Sequence, residues 1–288
     1  MLKQRILTAA ILIPLVVLLI LFLPPIIFTP LSFVFFLFSF LEWPRLVGYG
    51  NDPNQKPLTP REILKGMGLA AILFLGFVLF SWPAYVILIW CLPVLAVFLF
   101  PKGIRYYTRG PVGLSIGISI LLLTWISLAW LQLQDPKFAL YPLVLVWIAD
   151  SSAYFVGKSF GKHKLAPNIS PGKTWEGALG AVVCGILLSS AAYFIFDLGT
   201  SSSNIATTDL SSKKLFSTSG MSYLTWIILN TVVVLFSVVG DLFESIFKRV
   251  QGVKDSGHLL PGHGGLIDRI DAMLAALPLF AALTKLFN

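Results

Sequence analysis

Charge is what this 288-residue sequence has least of. Asp, Glu, Lys and Arg together make up 12% of it, against 57% hydrophobic residues. Soluble domains carry about 25% charged and about 45–50% apolar residues. A water-exposed globule of this composition would present apolar surface on an aggregating scale, which excludes a soluble fold. Cysteine is nearly missing. Cys91 and Cys184 both lie inside apolar runs, with no disulfide or metal-ligand spacing, and read as small packing residues. No internal repeat and no soluble domain is visible. A P-loop is excluded as well: Gly172-Lys173-Thr174 would need a glycine at position 167, where Pro167 stands, and no buried strand precedes it. No Ser-His-Asp arrangement can be defended.

What the sequence has is length of apolar run. A membrane-spanning helix needs about 20 mostly apolar residues. Nine segments qualify: Ile6–Leu23, Ile26–Val47, Leu64–Phe80, Tyr85–Phe100, Val112–Leu131, Leu140–Phe160, Trp175–Phe196, Leu224–Phe247 and Leu266–Phe287. The expected fold is an all-α polytopic integral membrane protein. The Pro24-Pro25 turn would make the first two spans a tight hairpin. The first run ends in Leu-Pro-Pro-Ile-Ile without a small-residue cleavage site, so it reads as an uncleaved helix. With a cytoplasmic N-terminus and nine spans, the C-terminus falls on the opposite side. All of the 21 Lys and Arg except Lys137, Lys213, Lys214 and Lys285 then lie on the cytoplasmic side, as the positive-inside rule requires. The formal charge of +8 is thereby explained by topology and anionic headgroups, not by nucleic acid. The expected location is the plasma or inner membrane. Residues 1–135 would hold five spans. Residues 136–288 would hold four, with cytoplasmic loops 157–177 and 248–265.

Local signals are few but specific. Thr59-Pro60-Arg61-Glu62 reads as a helix start, with Thr59 as cap, Pro60 at the first position and Glu62 in the capping-box place. Residues 199–222 are rich in Ser and Thr and read as a loop on the non-cytoplasmic side. The loops 157–177 and 248–265 hold all three histidines and many Lys, Gly and Pro residues. Function is expected there.

Acids within a membrane are costly and mark function by default. Asp150, Asp241, Glu244, Asp268 and Asp271 fall in or at the cytoplasmic ends of spans. Asp268 and Asp271 share a helix face, as do Asp241, Glu244 and Lys248. The spans bearing them are joined by one short loop and are expected to be antiparallel neighbours. Such a cluster of negative charge needs compensation. Oxygen-only ligands suit Mg²⁺ or Mn²⁺ rather than zinc, and pairing with Lys248, Arg249 and Arg269 is the competing reading. Lys248, Arg249, Lys254, His263, Gly264, Gly265 and Arg269 surround the acids. Lys and Arg neutralise phosphate, and Gly264-Gly265 would offer backbone amides to an anion at a helix start. Lys162 and Lys173 would give the other loop a second anion-binding surface, and a basic loop kept on the cytoplasmic side by topology is the competing reading.

From Ser245 to Asp271 the chain resembles the signature of the phosphatidate cytidylyltransferase (CDP-diglyceride synthase) family. Ser245, Lys248-Arg249, Lys254-Asp255, Gly257, Pro261, His263-Gly264-Gly265, Asp268-Arg269 and Asp271 meet its constrained positions. The stretch from Ala149 to Gly177 is also similar, with one departure: Ser151-Ser152 stands where Thr-Gly is expected. The resemblance implies transfer of CMP from CTP to phosphatidate, giving CDP-diacylglycerol and pyrophosphate, with Mg²⁺. It allows a homodimer. On this reading Asp241, Asp268 and Asp271 hold the metal. Lys248, Arg249, Lys254, His263 and Arg269 contact phosphates, and Asp150, Lys162 and Lys173 line the site with Gly264 and Gly265. Asp268→Asn is expected to abolish activity and leave membrane insertion intact. Two other classes stay open from the residues alone. A cation-coupled transporter would use the intramembrane acids, and a CTP-dependent polyprenol or phytol kinase would take an alcohol acceptor.

Overall fold

A computed structural model describes residues 2–49, 59–79, 82–101, 107–203, 221–257, 259 and 264–287. Among them nine helices form: α1 (Leu2–Phe22), α2 (Pro25–Leu46), α3 (Pro60–Leu79), α4 (Trp82–Leu99), α5 (Gly110–Gln134), α6 (Pro136–Phe160), α7 (Trp175–Ser203), α8 (Tyr223–Gln251) and α9 (Ile267–Phe287). Seven of them, α2 and α4 to α9, are long and apolar enough to cross a membrane. Ile26, Phe98 and Phe22 are 83%, 82% and 75% exposed, a surface that only lipid can cover cheaply. The chain is an all-α polytopic membrane protein.

Helix starts follow local chemistry. Pro25 and Pro136 open α2 and α6 where a missing N–H costs nothing. Asp135 accepts from the amide of Lys137 (2.7 Å) at the head of α6, and Ser222 accepts from Thr225 (3.1 Å) at the head of α8. The expected capping box is formed: the Thr59 amide donates to Glu62 Oε2 (2.9 Å) and the Glu62 amide to Thr59 Oγ1 (3.3 Å). The Thr59 amide, with its hydroxyl next, holds the Glu62 carboxyl below the usual range. α8 stops at Gly252, whose φ of 67° suits glycine.

The helices run alternately up and down. At one end the tails of α2, α4, α6 and α8 meet the heads of α5, α7 and α9. At the other, the Gln132 amide donates to Leu23 O (2.9 Å), Trp82 packs on Trp130, and Lys285 lies over Trp82. α9 is central: 72% of its apolar window is buried, against 28% for α2 and α4. It packs on α4, α5, α6 and α8. Pro278 within α9 leaves the carbonyl of Leu274 without its helical donor, and the Thr124 hydroxyl of α5 stands 3.2 Å from that oxygen. One continuous core includes Trp43, Leu131, Phe247 and Phe280, so residues on both sides of position 135 share it.

Three expectations change. The chain turns at Pro24-Pro25, but among the described residues α1 takes α6 as its main partner and packs little on α2. The loop 157–177 contains a small antiparallel pair, β1 (Lys164–Ala166) and β2 (Ser170–Thr174). The helix α7 runs on to Ser203, into the stretch read as loop. A helix already nucleated adds one hydrogen bond for each further residue, which carries it through this poor helix-forming stretch.

At Gly240 the backbone of α9 comes close to α8. A Cβ there would lie 2.8 Å from the carbonyl oxygen of Asp271 and 3.1 Å from Ala275 Cβ. A backbone oxygen has no rotamer to escape into. Gly240→Ala gains about 1 kcal/mol of helix propensity but overpacks at a cost of about 1–3 kcal/mol. We expect a lower unfolding temperature in detergent. An unchanged midpoint would show that the α9 backbone gives way to the added methyl at little cost.

Candidate active site

The Gly240 contact brings Asp241 and Glu244 of α8 beside Asp271 of α9, which interacts electrostatically with both. Glu244 is wholly buried, and the ammonium of Lys248 one turn later is paired with it. The same ammonium donates to Asp268 Oδ1 (2.9 Å). Lys248 thus sits between two carboxylates on different helices. Asp268 Oδ2 accepts from the Ser256 amide (2.9 Å), the Ser256 hydroxyl (3.1 Å) and the Gly265 amide (2.8 Å). Both oxygens of Asp268 are therefore engaged, one with Lys248 of α8 and the other with Ser256 and Gly265. Asp271 accepts from the amide of Ala272 (2.8 Å).

Asp241 faces outward from this group. Its Oδ2 is 2.6 Å from Lys173 Nζ, and its Oδ1 accepts from Ser245 (3.3 Å). Asp150, exposed on α6, lies within electrostatic reach of both Lys173 and Asp241. Lys173 comes from β2, so the strand pair carries a cation to the acids. Four contacts fix that pair. His163 Nδ1 meets Glu176 Oε1 at 2.7 Å. Thr174 Oγ1 accepts from the amide of Gly177 (3.1 Å) at the head of α7. Arg249 Nε donates to Ile169 O (2.8 Å). Buried Ile169 packs with Leu242 and Ile246.

The structure therefore brings together Asp150, Asp241, Asp268, Asp271, Lys173 and Lys248 of the expected site residues, with Glu244 among them. Arg249 holds the strand pair. Lys162, Lys254 and Arg269 are exposed at the same end. His263 lies outside the described residues. Gly264 has φ +86°, a conformation that suits glycine. The amide of Gly265, expected to face an anion, is spent on Asp268.

One acid was missed. Glu42, the only acid of α2, is 7% exposed. Its Oε2 accepts from the amides of Leu266 (2.7 Å) and Ile267 (3.1 Å) and lies 3.2 Å from the Ser256 hydroxyl. The signal was present, since an acid within an apolar span is exceptional wherever it falls.

Asp150, Asp241, Glu244, Asp268 and Asp271 outnumber the two ammonium groups, of Lys173 and Lys248, that lie within their reach. That excess of hard oxygen donors suits Mg²⁺ or Mn²⁺. Among the described residues no three His, Cys, Asp or Glu stand together as a ready metal cage. Mg²⁺ commonly takes one or two carboxylates and completes its shell with water and substrate phosphate. Asp241 and Asp271 fit that use best, because Asp268 is occupied by its own loop.

Comparison with known proteins agrees on one family. The model of the "Cytidylyltransferase family" matches residues 3–287. A phosphatidate cytidylyltransferase of Pseudomonas aeruginosa is 35% identical over 294 residues, 98% of this chain and 97% of the relative. One from Haemophilus influenzae is 39% identical over 201 residues, 67% of this chain and 64% of the relative. One from Staphylococcus aureus is 40% identical over 144 residues, 49% of this chain and 46% of the relative.

Proposed function

The chain belongs to the cytidylyltransferase family, a family of nucleotidyltransferases, and from that premise we propose that it transfers the cytidylyl group of CTP to phosphatidate. The products are CDP-diacylglycerol and pyrophosphate. The observation that carries this reading is the carboxylate group around Asp241, bordered by Lys173 and by exposed Lys162, Lys254 and Arg269.

The chemistry asks little of a side-chain base. A phosphate oxygen of phosphatidate, already ionised, attacks the α-phosphorus of CTP. A new P–O bond forms as the bond to the β-phosphate bridging oxygen breaks, and pyrophosphate leaves with the electron pair. Catalysis is then positioning and charge neutralisation. Asp241 and Asp271, with Asp268 beside them, would hold Mg²⁺ or Mn²⁺, which supplies positive charge to the triphosphate when bound. Lys173 exchanges Asp241 for a phosphate oxygen. Arg249, Lys254 and Arg269 would border the leaving pyrophosphate, with Lys162, Gly264 and Asp150 at the rim. Lys248 keeps the acids in place.

The site is assigned to the cytoplasmic face of the plasma or inner membrane, where CTP arrives. The one-sided distribution of Lys and Arg supports this, as does the common end shared by the site residues. Lipid tails remain among the exposed apolar side chains.

The test is pyrophosphate release from purified protein in detergent. Release should require CTP and phosphatidate together, with CDP-diacylglycerol as the lipid product. Chelating the divalent ion should lower the rate by at least about a hundredfold. Release with an alcohol in place of phosphatidate, or none with active lipid and metal present, would overturn the assignment.

A further inference from the structure

We propose that Glu42 is a positioning residue for this reaction, setting the place of Asp268 and Lys248 from the far half of the chain; the inference rests on the function proposed above. The head of a helix carries unpaired amides and positive potential, a natural place for an anion. In α9 that place is filled by the protein itself. Glu42 Oε2 accepts from Leu266 and Ile267, and Gly265 donates to Asp268. The substrate phosphates must bind elsewhere, and the side chain that fills this end organises the loop.

Ser256 links Glu42 to the site. Its hydroxyl lies 3.2 Å from Glu42 Oε2 and 3.1 Å from Asp268 Oδ2. One hydroxyl proton serves one carboxylate at a time, so the two acids hold Ser256 from both sides. Asp268 in turn receives Lys248, which is paired with Glu244. The chain of contacts runs Glu42, Ser256, Asp268, Lys248.

The glycines of the loop fit the carboxylate closely. A Cβ at Gly257 would fall 2.6 Å from Glu42 Oε1, and one at Gly265 would fall 2.6 Å from Oε2. Oε1 is buried without a hydrogen-bond partner among the described residues. An unsatisfied oxygen is kept at a cost. Glu42 is also fixed from behind. Neighbouring Trp43 packs on Phe247 and donates to Gly113 O (2.9 Å). The α2 backbone therefore cannot follow a shortened side chain.

The test uses the full-length enzyme in detergent. Glu42→Ala leaves the two amides without an acceptor and releases Ser256 toward Asp268. Turnover per folded molecule should fall about a hundredfold, the order expected when reacting groups shift by an ångström. The KM for CTP should change little, since Glu42 touches no substrate. Glu42→Gln keeps one acceptor oxygen and should stay within about tenfold of the natural enzyme. Hydrogen exchange at Leu266 and Ile267 should quicken in the Ala variant and not in mid-α9. Unchanged turnover in Glu42→Ala overturns the proposal. So does a loss that matches the loss of folded protein, with Gln no better than Ala. If Glu42→Ala does not fold, Ser256→Ala decides: it should lower turnover in folded protein, and natural turnover there overturns the proposal. Failure of the natural enzyme to release pyrophosphate would instead sink the functional assignment. The exchange experiment would still decide whether Glu42 caps α9, and unprotected amides in the natural protein would refute the cap.

Discussion

Asp241→Asn should remove turnover by about a thousandfold while leaving the protein folded, the scale on which a single charge-stabilising group acts in catalysis. Asp241 is the carboxylate of the cluster that faces outward. Its partners are Lys173, from the strand pair, and the hydroxyl of Ser245. Neither depends on Asp241 for its own fold. The ion pair with Lys173 is partly solvated, with the two side chains 28% and 23% exposed, so its loss costs about 1 kcal/mol or less. Against that loss stands relief of repulsion from Asp150, Glu244 and Asp271. The two effects oppose, and the unfolding temperature should move little in either direction. Activity and stability therefore separate at this position. Pyrophosphate release and thermal unfolding, measured on one preparation, check both halves. Natural turnover in Asp241→Asn would remove the residue from the metal set.

Most of the architecture was legible because a bilayer demands long apolar runs and internal backbone pairing. All nine expected segments overlap a helix of the structure, and Thr59 to Glu62 form the box that their spacing announced. The pairing of α8 with α9 followed from the short loop between them. Partners at longer range were hidden, because packing is not written into apolar periodicity when every face is apolar. Hence α1 went to α6. The acids were legible by rarity, but their roles were not. Asp268 and Asp271 share a face, yet one turns to the loop amides and the other to Asp241 and Glu244. Ser256, Gly265 and Lys248 together draw Asp268 away. Glu42 was as visible by rarity, but its partners were hidden, since they lie more than two hundred residues away.

Lys248→Met should damage both fold and activity, and the reason lies in what it leaves behind. The Lys248 ammonium serves Glu244, whose side chain is 0% exposed, and Asp268, at 6%. Methionine fills the stem but removes the charge, so two buried carboxylates lose their shared counter-ion. Breaking a buried pair from one side costs about 3–5 kcal/mol. Turnover should vanish together with a large fall in unfolding temperature. The same node revises the expectation for Asp268→Asn. The amide nitrogen that replaces one oxygen must face either Lys248 or the donors from Ser256 and Gly265. That variant should lose stability along with activity, so it is a poor probe of metal binding alone. A second substitution separates neutralisation from packing. If Lys248 acts chiefly by neutralising Glu244, adding Glu244→Gln to Lys248→Met should recover part of the lost unfolding temperature, because one uncompensated charge disappears. Activity should stay absent, since Asp268 still lacks its partner. No thermal recovery in the double variant would mean that neutralising Glu244 is not what Lys248 contributes to stability.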